Sequence, residues 1–467
     1  MSSSTPVQPS LTTIDAREWL LVLAAAIVLK LLCWQIDPTM RTFVGDSATY
    51  LWAALSNQPP PDRSFTYPLI IRATALAQGN LALLGCLQSA IGALLCTLVY
   101  RCLRRDISAS RSVATVLALL LAIEPGQLFY ERMVMTETFG TFCFAVMVLS
   151  GLRYLRSDQT RWLVLMAVSG TLVASMRLSL LPVVLGFAPL PVLARLFGDR
   201  PGWLRWVAHL ILAVAATLML HSLYKHWYDR KSDALQRSDY THSSGRMRLG
   251  LLAPLVKPEH LQRAGLPGDL VAQTRPSSSD PQAREPQIWS ETGLYSLIAQ
   301  HSAHPDDSAR KVAMYAFRDD PFGLVRLGVG NLFDYFNAGI TRARMDDDLG
   351  QRPPDAGMLR IIAERYGYDA RGVATRTSPV YRYYAASRIW WIILLFALPL
   401  LAIVVLVRGR RRDPAAATLL SLLALGMFVS QVLFSHIVSF RYLHPFAVVA
   451  AVLVAHLLSL PTGSARR

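Results

Sequence analysis

Apolar runs of about 20 residues recur along this chain, each long enough to cross a bilayer core of about 30 Å as a helix. They fall at about 17–36, 80–100, 112–130, 134–154, 161–177, 178–196, 204–222, 388–407, 415–435 and 441–460, or about ten crossings. Within lipid every backbone N–H and C=O must be paired inside the segment, so unbroken apolar runs without two-residue alternation leave only helices. Composition agrees: 53% of the 467 residues are hydrophobic and 17% are charged, against about 25% charged in a typical soluble domain. The expectation is an all-α polytopic membrane protein.

Basic residues set the orientation. Arg101, Arg104, Arg105 and Arg111 flank one connection, and Arg153, Arg156 and Arg161 another. Arg195, Arg200 and Arg205, then "RGRRR" at 408–412, then Arg466 and Arg467 follow. Every second connection is short and Arg-rich, which places these and both termini on the cytoplasmic side of a bacterial inner membrane. The formal charge of +16 is then explained by anionic lipid, and no nucleic-acid partner is implied. Cys33, Cys86, Cys96 and Cys143 sit in apolar runs and Cys102 at the basic end of one, so no disulfide framework is visible. The first apolar run exceeds a signal-peptide core and reads as a membrane helix.

Three parts follow: residues 1–222, a membrane module whose outer loop is 37–79; residues 223–387, an external segment; and residues 388–467, the last helices. In the external segment "QTRPSSSDPQAREPQ" reads as a mobile loop. "ARKVAMYAFRDDPFGLVRLGVGNLFDYF" has helical apolar spacing broken at Pro321, so this part is expected to be mostly helical. "MDDDLG" at 345–350 lacks the alternating ligands and closing Glu of a calcium loop and reads as a solvated acidic turn.

The first outer loop carries "RTFVGDSATYLWAAL". Tyr50, Leu51, Ala54 and Leu55 form one apolar face that can lie at the membrane interface, and Asp46 stands at its head. Structurally, Asp46 suits a helix N-cap; chemically, a carboxylate fixed at the membrane surface can take a proton from a hydroxyl. Arg177 in "VASMRLSLLP" and Arg441 in "VSFRYLHP" lie at helix ends on the same side. Such charges either snorkel to headgroups or face a partner, and a guanidinium suits phosphate. In "IEPGQLFYERMVMTETF" Glu137 opens an apolar run, where an acid serves the helix dipole and can pair with Arg132. It also qualifies as a second carboxylate facing Asp46.

The order of these pieces resembles the GT-C class of membrane glycosyltransferases, the superfamily of protein mannosyltransferases and lipid A aminoarabinose transferases. The matching pieces are "GDSATYLWAA", "FTYPLIIR", "EPGQLFYERMVMTETF", "LVASMRLSLLP" and "FRYLHPFAVV", over about residues 15–225 and 385–460. The resemblance implies a bundle of about ten helices with interfacial helices in the first outer loop. It also implies a polyprenyl-phosphate sugar donor and a periplasmic site. On the matching positions it makes Asp46 the proton acceptor and Glu137 the second catalytic acid. It puts Arg177, Arg441 and Arg63 on the donor phosphate and Tyr67 and Tyr442 in the substrate pocket. His226, just past a helix end, is added to the pocket from its position. Ser47 follows Asp46 where many members carry a second acid.

The function expected is inverting transfer of a sugar from the polyprenyl-phosphate donor to a hydroxyl acceptor. No cofactor is required, Glu137 leaves room for a divalent cation, and no metal-ligand pattern is present. Two other classes stay open: a transporter or flippase, and another membrane transferase such as a polysaccharide ligase. A transporter would carry ionisable residues near mid-helix, whereas here they gather at helix ends, Lys30 included. No internal repeat is visible either.

Overall fold

A computed structural model describes residues 16–459 except 44, 61–62, 64, 199–201, 233–243, 275–280, 352 and 374. Both termini and part of the expected mobile loop therefore lie outside the described residues. The described residues are mostly helical, with one isolated bridge between connecting segments. Eight helices are long and apolar enough to cross a membrane, by length and composition: Ala16–Ile36, Ala82–Arg105, Glu137–Ser157, Leu178–Phe197, Trp203–Ser232, Arg388–Gly409, Pro414–Phe434 and Phe440–Leu458. Two shorter apolar helices, Arg111–Ala122 and Thr160–Met176, stand where the third and fifth crossings were expected. The third is cut short because Glu124 and Pro125 start a separate helix, Pro125–Tyr130, whose first free N–H groups Glu124 caps.

We label the first elements α1 (Ala16–Ile36), α2 (Asp46–Ser56), α3 (Thr66–Ile71), α4 (Ala82–Arg105), α5 (Arg111–Ala122), α6 (Pro125–Tyr130), α7 (Glu137–Ser157) and α8 (Thr160–Met176). On α1, Leu21, Val28, Leu31 and Ile36 are all more than half exposed. Apolar surface on that scale needs lipid to cover it.

Ion pairs mark one end of the bundle. Arg153 donates to Asp106 at 2.9 Å, Arg156 pairs with Asp413, and Arg195 and Arg205 both reach Asp158. Arg153 lies 16 residues along α7 from Glu137, or about 24 Å of helix rise. The Arg-rich connections and the expected site thus occupy opposite ends of the bundle.

The segment between α1 and α2 is held to the connection before α7. Arg41 and Met133 form an isolated parallel bridge, and Ser47 Oγ accepts from Phe43 N at 2.7 Å while donating to Val134 O at 2.8 Å. The apolar face of α2 packs inward, with Tyr366 OH donating to Leu51 O at 2.7 Å; Trp52 is exposed instead.

The expected boundary at 222/223 falls inside the Trp203–Ser232 helix. Residues 249–316 form a small core of their own, including Leu249, Leu261, Ile298 and Val312. Tyr335, Met345, Ile362 and Tyr384, by contrast, join the main core. The described part of the expected mobile loop is helical at Arg284–Trp289, with Arg284 buried.

Lys30 is not an end-of-helix charge. It is buried, 2.8 Å from Glu131, and donates to Ala122 O at 2.6 Å. Glu131 also accepts from Gln127 at 2.7 Å, and a Cβ at Gly92 would overlap its carboxylate. Removing one partner strands the other charge in a dry interior. Lys30→Met is expected to destabilise by about 3–5 kcal/mol, read as a lower thermal midpoint in detergent. Adding Glu131→Gln should recover most of the loss; a single variant as stable as the parent would refute the pair's importance.

Candidate active site

Asp46 is the first residue of α2, and the capping position belongs to Gly45, at φ +76° with no side-chain cap. This corrects the expectation that Asp46 caps the helix. A backbone in the left-handed region favours glycine, and it turns the chain so that the next side chain points inward. Both oxygens of the Asp46 carboxylate are engaged. Oδ1 pairs with Arg63 and Oδ2 accepts from Arg441 Nη1 at 2.8 Å. Burial by itself would push this carboxyl up; the two guanidinium groups outweigh it and hold it below the usual carboxylate value.

Arg177 ends α8 in an extended conformation. Its Nη2 donates to Arg441 O at 3.1 Å and lies 3.8 Å from Glu137 Oε1. Arg177 Nη1 and Glu137 Oε2 are buried without a hydrogen-bond partner among the described residues. Gly140, one turn into α7, lets the Arg177 stem pass, since a Cβ there would sit 3.0 Å from Arg177 Cδ. Glu137 does not pair with Arg132 as expected. Arg132 donates instead to Asp37 O and Leu128 O, its guanidinium over the Trp34 ring. Tyr442 lies under both Arg177 and Arg441, with ring centroids 5.9 and 5.3 Å from the guanidinium carbons.

Tyr67 is buried edge-on against Tyr50 and donates to Gln88 at 2.8 Å. Gln88 in turn donates to the carbonyls of Glu131 and Met133. Tyr67 thus supports the floor of the cleft. His226 is exposed on the Trp203–Ser232 helix, and no hydrogen bond or ion pair joins it to these residues. Its neighbours do the work there: the Tyr228 hydroxyl lies 2.8 Å from Pro60 O and 3.1 Å from Arg63 O, and Tyr224 contacts Thr66 at 2.9 Å. The i, i+4 spacing of Tyr224 and Tyr228 in "YKHWYDR" is the signal that could have found them.

An acid was missed as well. "MDDDLG" is not a solvated turn: Ala338–Asp348 is a helix, and Asp348 is buried at its end. It interacts electrostatically with Arg441 and Glu137. These residues form one largely buried cluster, Asp46, Glu137 and Asp348 with Arg63, Arg177 and Arg441, drawn from both ends of the chain. Among the described residues no group of His, Cys, Asp and Glu could hold a metal ion.

Fold and cleft together define a multi-pass membrane protein with interleaved acids and arginines at the end of its bundle away from the Arg-rich connections. No protein-family model matches the chain, and no curated protein matches it. Among solved structures it is similar to the crystal structure of ArnT from Cupriavidus metallidurans bound to undecaprenyl phosphate. The identity is 14% and the TM-score 0.38, covering 92% of this chain and 78% of that chain. At that score the likeness carries no argument, and the reading below rests on this chain's own residues.

The Asp46 pairs also make a prediction about acid stability. A carboxyl held low in the fold contributes stability that is complete above the unfolded value of about 3.9. That contribution is lost as pH falls through the lower folded value. Thermal midpoints of wild type should therefore drop more steeply below about pH 4 than those of Asp46→Asn. Equal slopes would mean that the two ion pairs contribute nothing.

Proposed function

We propose that this chain is an inverting glycosyltransferase, moving a sugar from a polyprenyl-phosphate donor to a hydroxyl acceptor. The acceptor is a glycan, a lipid or a protein, and the site faces the periplasm across a bacterial inner membrane. The observation that carries the reading is Arg177: a buried guanidinium beside Arg441, with one nitrogen unpartnered, at the end of a membrane helix. A planar, permanently charged fork of this kind suits a phosphate. A cleft at the end of membrane helices suits a phosphate that arrives on a lipid tail. In this reading residues 1–222, with the 37–79 loop, and residues 388–467 hold the donor, while residues 223–387 cover the site.

The resting arrangement supports a sequence of events. Arg63 and Arg441 share the one Asp46 carboxylate, so an incoming phosphate competes for them and frees it. Asp46 then takes the proton of the acceptor hydroxyl, whose oxygen bonds to the anomeric carbon from the face opposite the phosphate. The bond from that carbon to the phosphate oxygen breaks, its electron pair leaving with polyprenyl phosphate. Arg63, Arg177 and Arg441 stabilise the charge that grows there. Tyr442 and Tyr67 shape the pocket, and His226 stands at its outer rim. Glu137 orients Arg177. No step calls for a cofactor, and Glu137 Oε2 is the position at which a divalent cation would be tested.

Transport has one observation in its favour, the buried Lys30–Glu131 pair. Intramembrane charges mark transport paths as well as structure. A transfer assay with lipid-phosphate sugars separates the two readings. Asp46→Asn is expected to lower kcat by about 10²–10⁴-fold, and normal turnover in that variant overturns the proton-acceptor assignment. Arg177→Ala should cost about 10²–10³-fold in kcat/KM with expression intact. Unchanged donor dependence would remove Arg177 from the phosphate site.

A further inference from the structure

The Ala338–Asp348 helix ends with Asp348 and then Gly350, which has φ +68°. A Cβ at Gly350 would overlap the Thr42 carbonyl of the first outer loop, so only glycine lets this turn dock there. The docking seats Asp348 beside the start of the last membrane helix. Its carboxylate accepts from the Phe440 N–H, next to Arg441, and from the Tyr384 hydroxyl at 3.4 Å. Tyr384 is itself 2.7 Å from the Tyr130 hydroxyl. Tyr335 fixes the same corner, donating to Ser439 O at 3.1 Å and accepting from Gln431 at 3.0 Å. Unlike Asp46, Asp348 has no direct ion pair among the described residues, although it is 5% exposed.

We infer that Asp348 is a proton-binding member of the phosphate cleft: protonated, it donates a hydrogen bond to the donor's phosphate, so that donor binding takes up a proton. This rests on reading the cleft as a phosphate site. An ionised Asp348 would oppose an arriving anion beside Arg441, whereas a neutral carboxyl placed there becomes a donor, as buried acids do in other oxyanion sites.

The surroundings bear this out on each side. Burial, helped by Glu137 and Asp347, holds the Asp348 carboxyl up at about 7 against the pull of Arg441 and the Phe440 N–H. Tyr130, Tyr384 and Tyr335 face it and are all held above the ordinary tyrosine value by burial, so they stay neutral near pH 7. Asp46, held low, stays ionised there. His436, which faces Arg441 from the turn before the last helix, is pushed down to about 3 by burial and by Arg284, Arg344 and Arg441. It stays neutral as well. A phosphate adds negative charge next to Asp348, raises its proton affinity further, and binds best when the proton is present.

The test uses full-length protein in detergent and a short-chain prenyl methyl phosphodiester, whose single charge is constant between about pH 6 and 8. Wild type should bind it more weakly as pH rises through about 7, approaching tenfold per unit at the steepest, the limit for one proton. Asp348→Asn, permanently neutral, should keep the low-pH affinity throughout, and Asp348→Glu should retain the slope. Calorimetry in buffers of different ionisation heat should show proton uptake by wild type, which decides the matter even if Asp348→Asn does not fold. Binding by wild type that is flat with pH, or no proton uptake, overturns the Asp348 role while leaving the phosphate reading intact. Absence of any wild-type binding removes both.

Discussion

A guanidinium at the edge of hydrocarbon has to find a negative partner, and three of them share one end of this bundle. Leaving such a charge unpaired in a dry site costs several kcal/mol, far more than any single turn or cap contributes. Asp46 bridges Arg63 and Arg441, and Glu137 lies beside Arg177. These contacts tie the first outer loop, the start of α7, the end of α8 and the last helix into one unit. The glycines nearby are subordinate to them. Gly45 turns Asp46 inward, Gly140 clears a path for the Arg177 stem, and Gly350 lets the external segment close against Thr42.

The same pairing shapes what the cleft can bind. Its three arginines are only partly balanced by Asp46 and Glu137, so an anion entering there is attracted and also competes with those carboxylates. A small free anion gains little from that competition, because it must displace carboxylates that are pre-placed at no entropic cost. A phosphate carrying a long apolar tail gains as well from burying that tail against helices, at about 0.8 kcal/mol per CH₂. On the proposed reading, burial of that tail is what would favour lipid-borne over soluble phosphate.

Much of this was legible before any coordinates. Eight of the ten apolar runs coincide with helices long and apolar enough to span, and the third and fifth with shorter apolar helices, because lipid demands that the backbone be paired internally. Charge and sidedness put Asp46, Arg177 and Arg441 on one side of the membrane but left snorkelling open; the structure brings them together. What could not be read depends on distant packing. "MDDDLG" looks like a surface turn because nothing local reveals that Phe440, 92 residues on, will offer it a backbone N–H. Asp46 looks like a cap because its neighbour's positive φ is invisible in one dimension. The third run was overcounted because an acid followed by proline both ends one helix and begins another. His226 was chosen for its position past a helix end, whereas the residues that reach the loop are the tyrosines flanking it.

The external segment then appears as more than a cover. Its first part keeps a core of its own, but its second part, from Tyr335 to Tyr384, is built into the main core and delivers Asp348 and Tyr384 to the cleft. Excluding water there raises the strength of every charge interaction inside, and so makes the arginine–acid pairs both tighter and more sensitive to one added charge. A site arranged this way must rebalance whenever a phosphate enters or its charge grows. The pairs at the opposite end of the bundle, Arg153 with Asp106 and Arg156 with Asp413, face no such demand. On the proposed reading, similar ion pairs thus serve two purposes in one chain: permanent at the end that anchors the helices, exchangeable at the end proposed to meet the substrate.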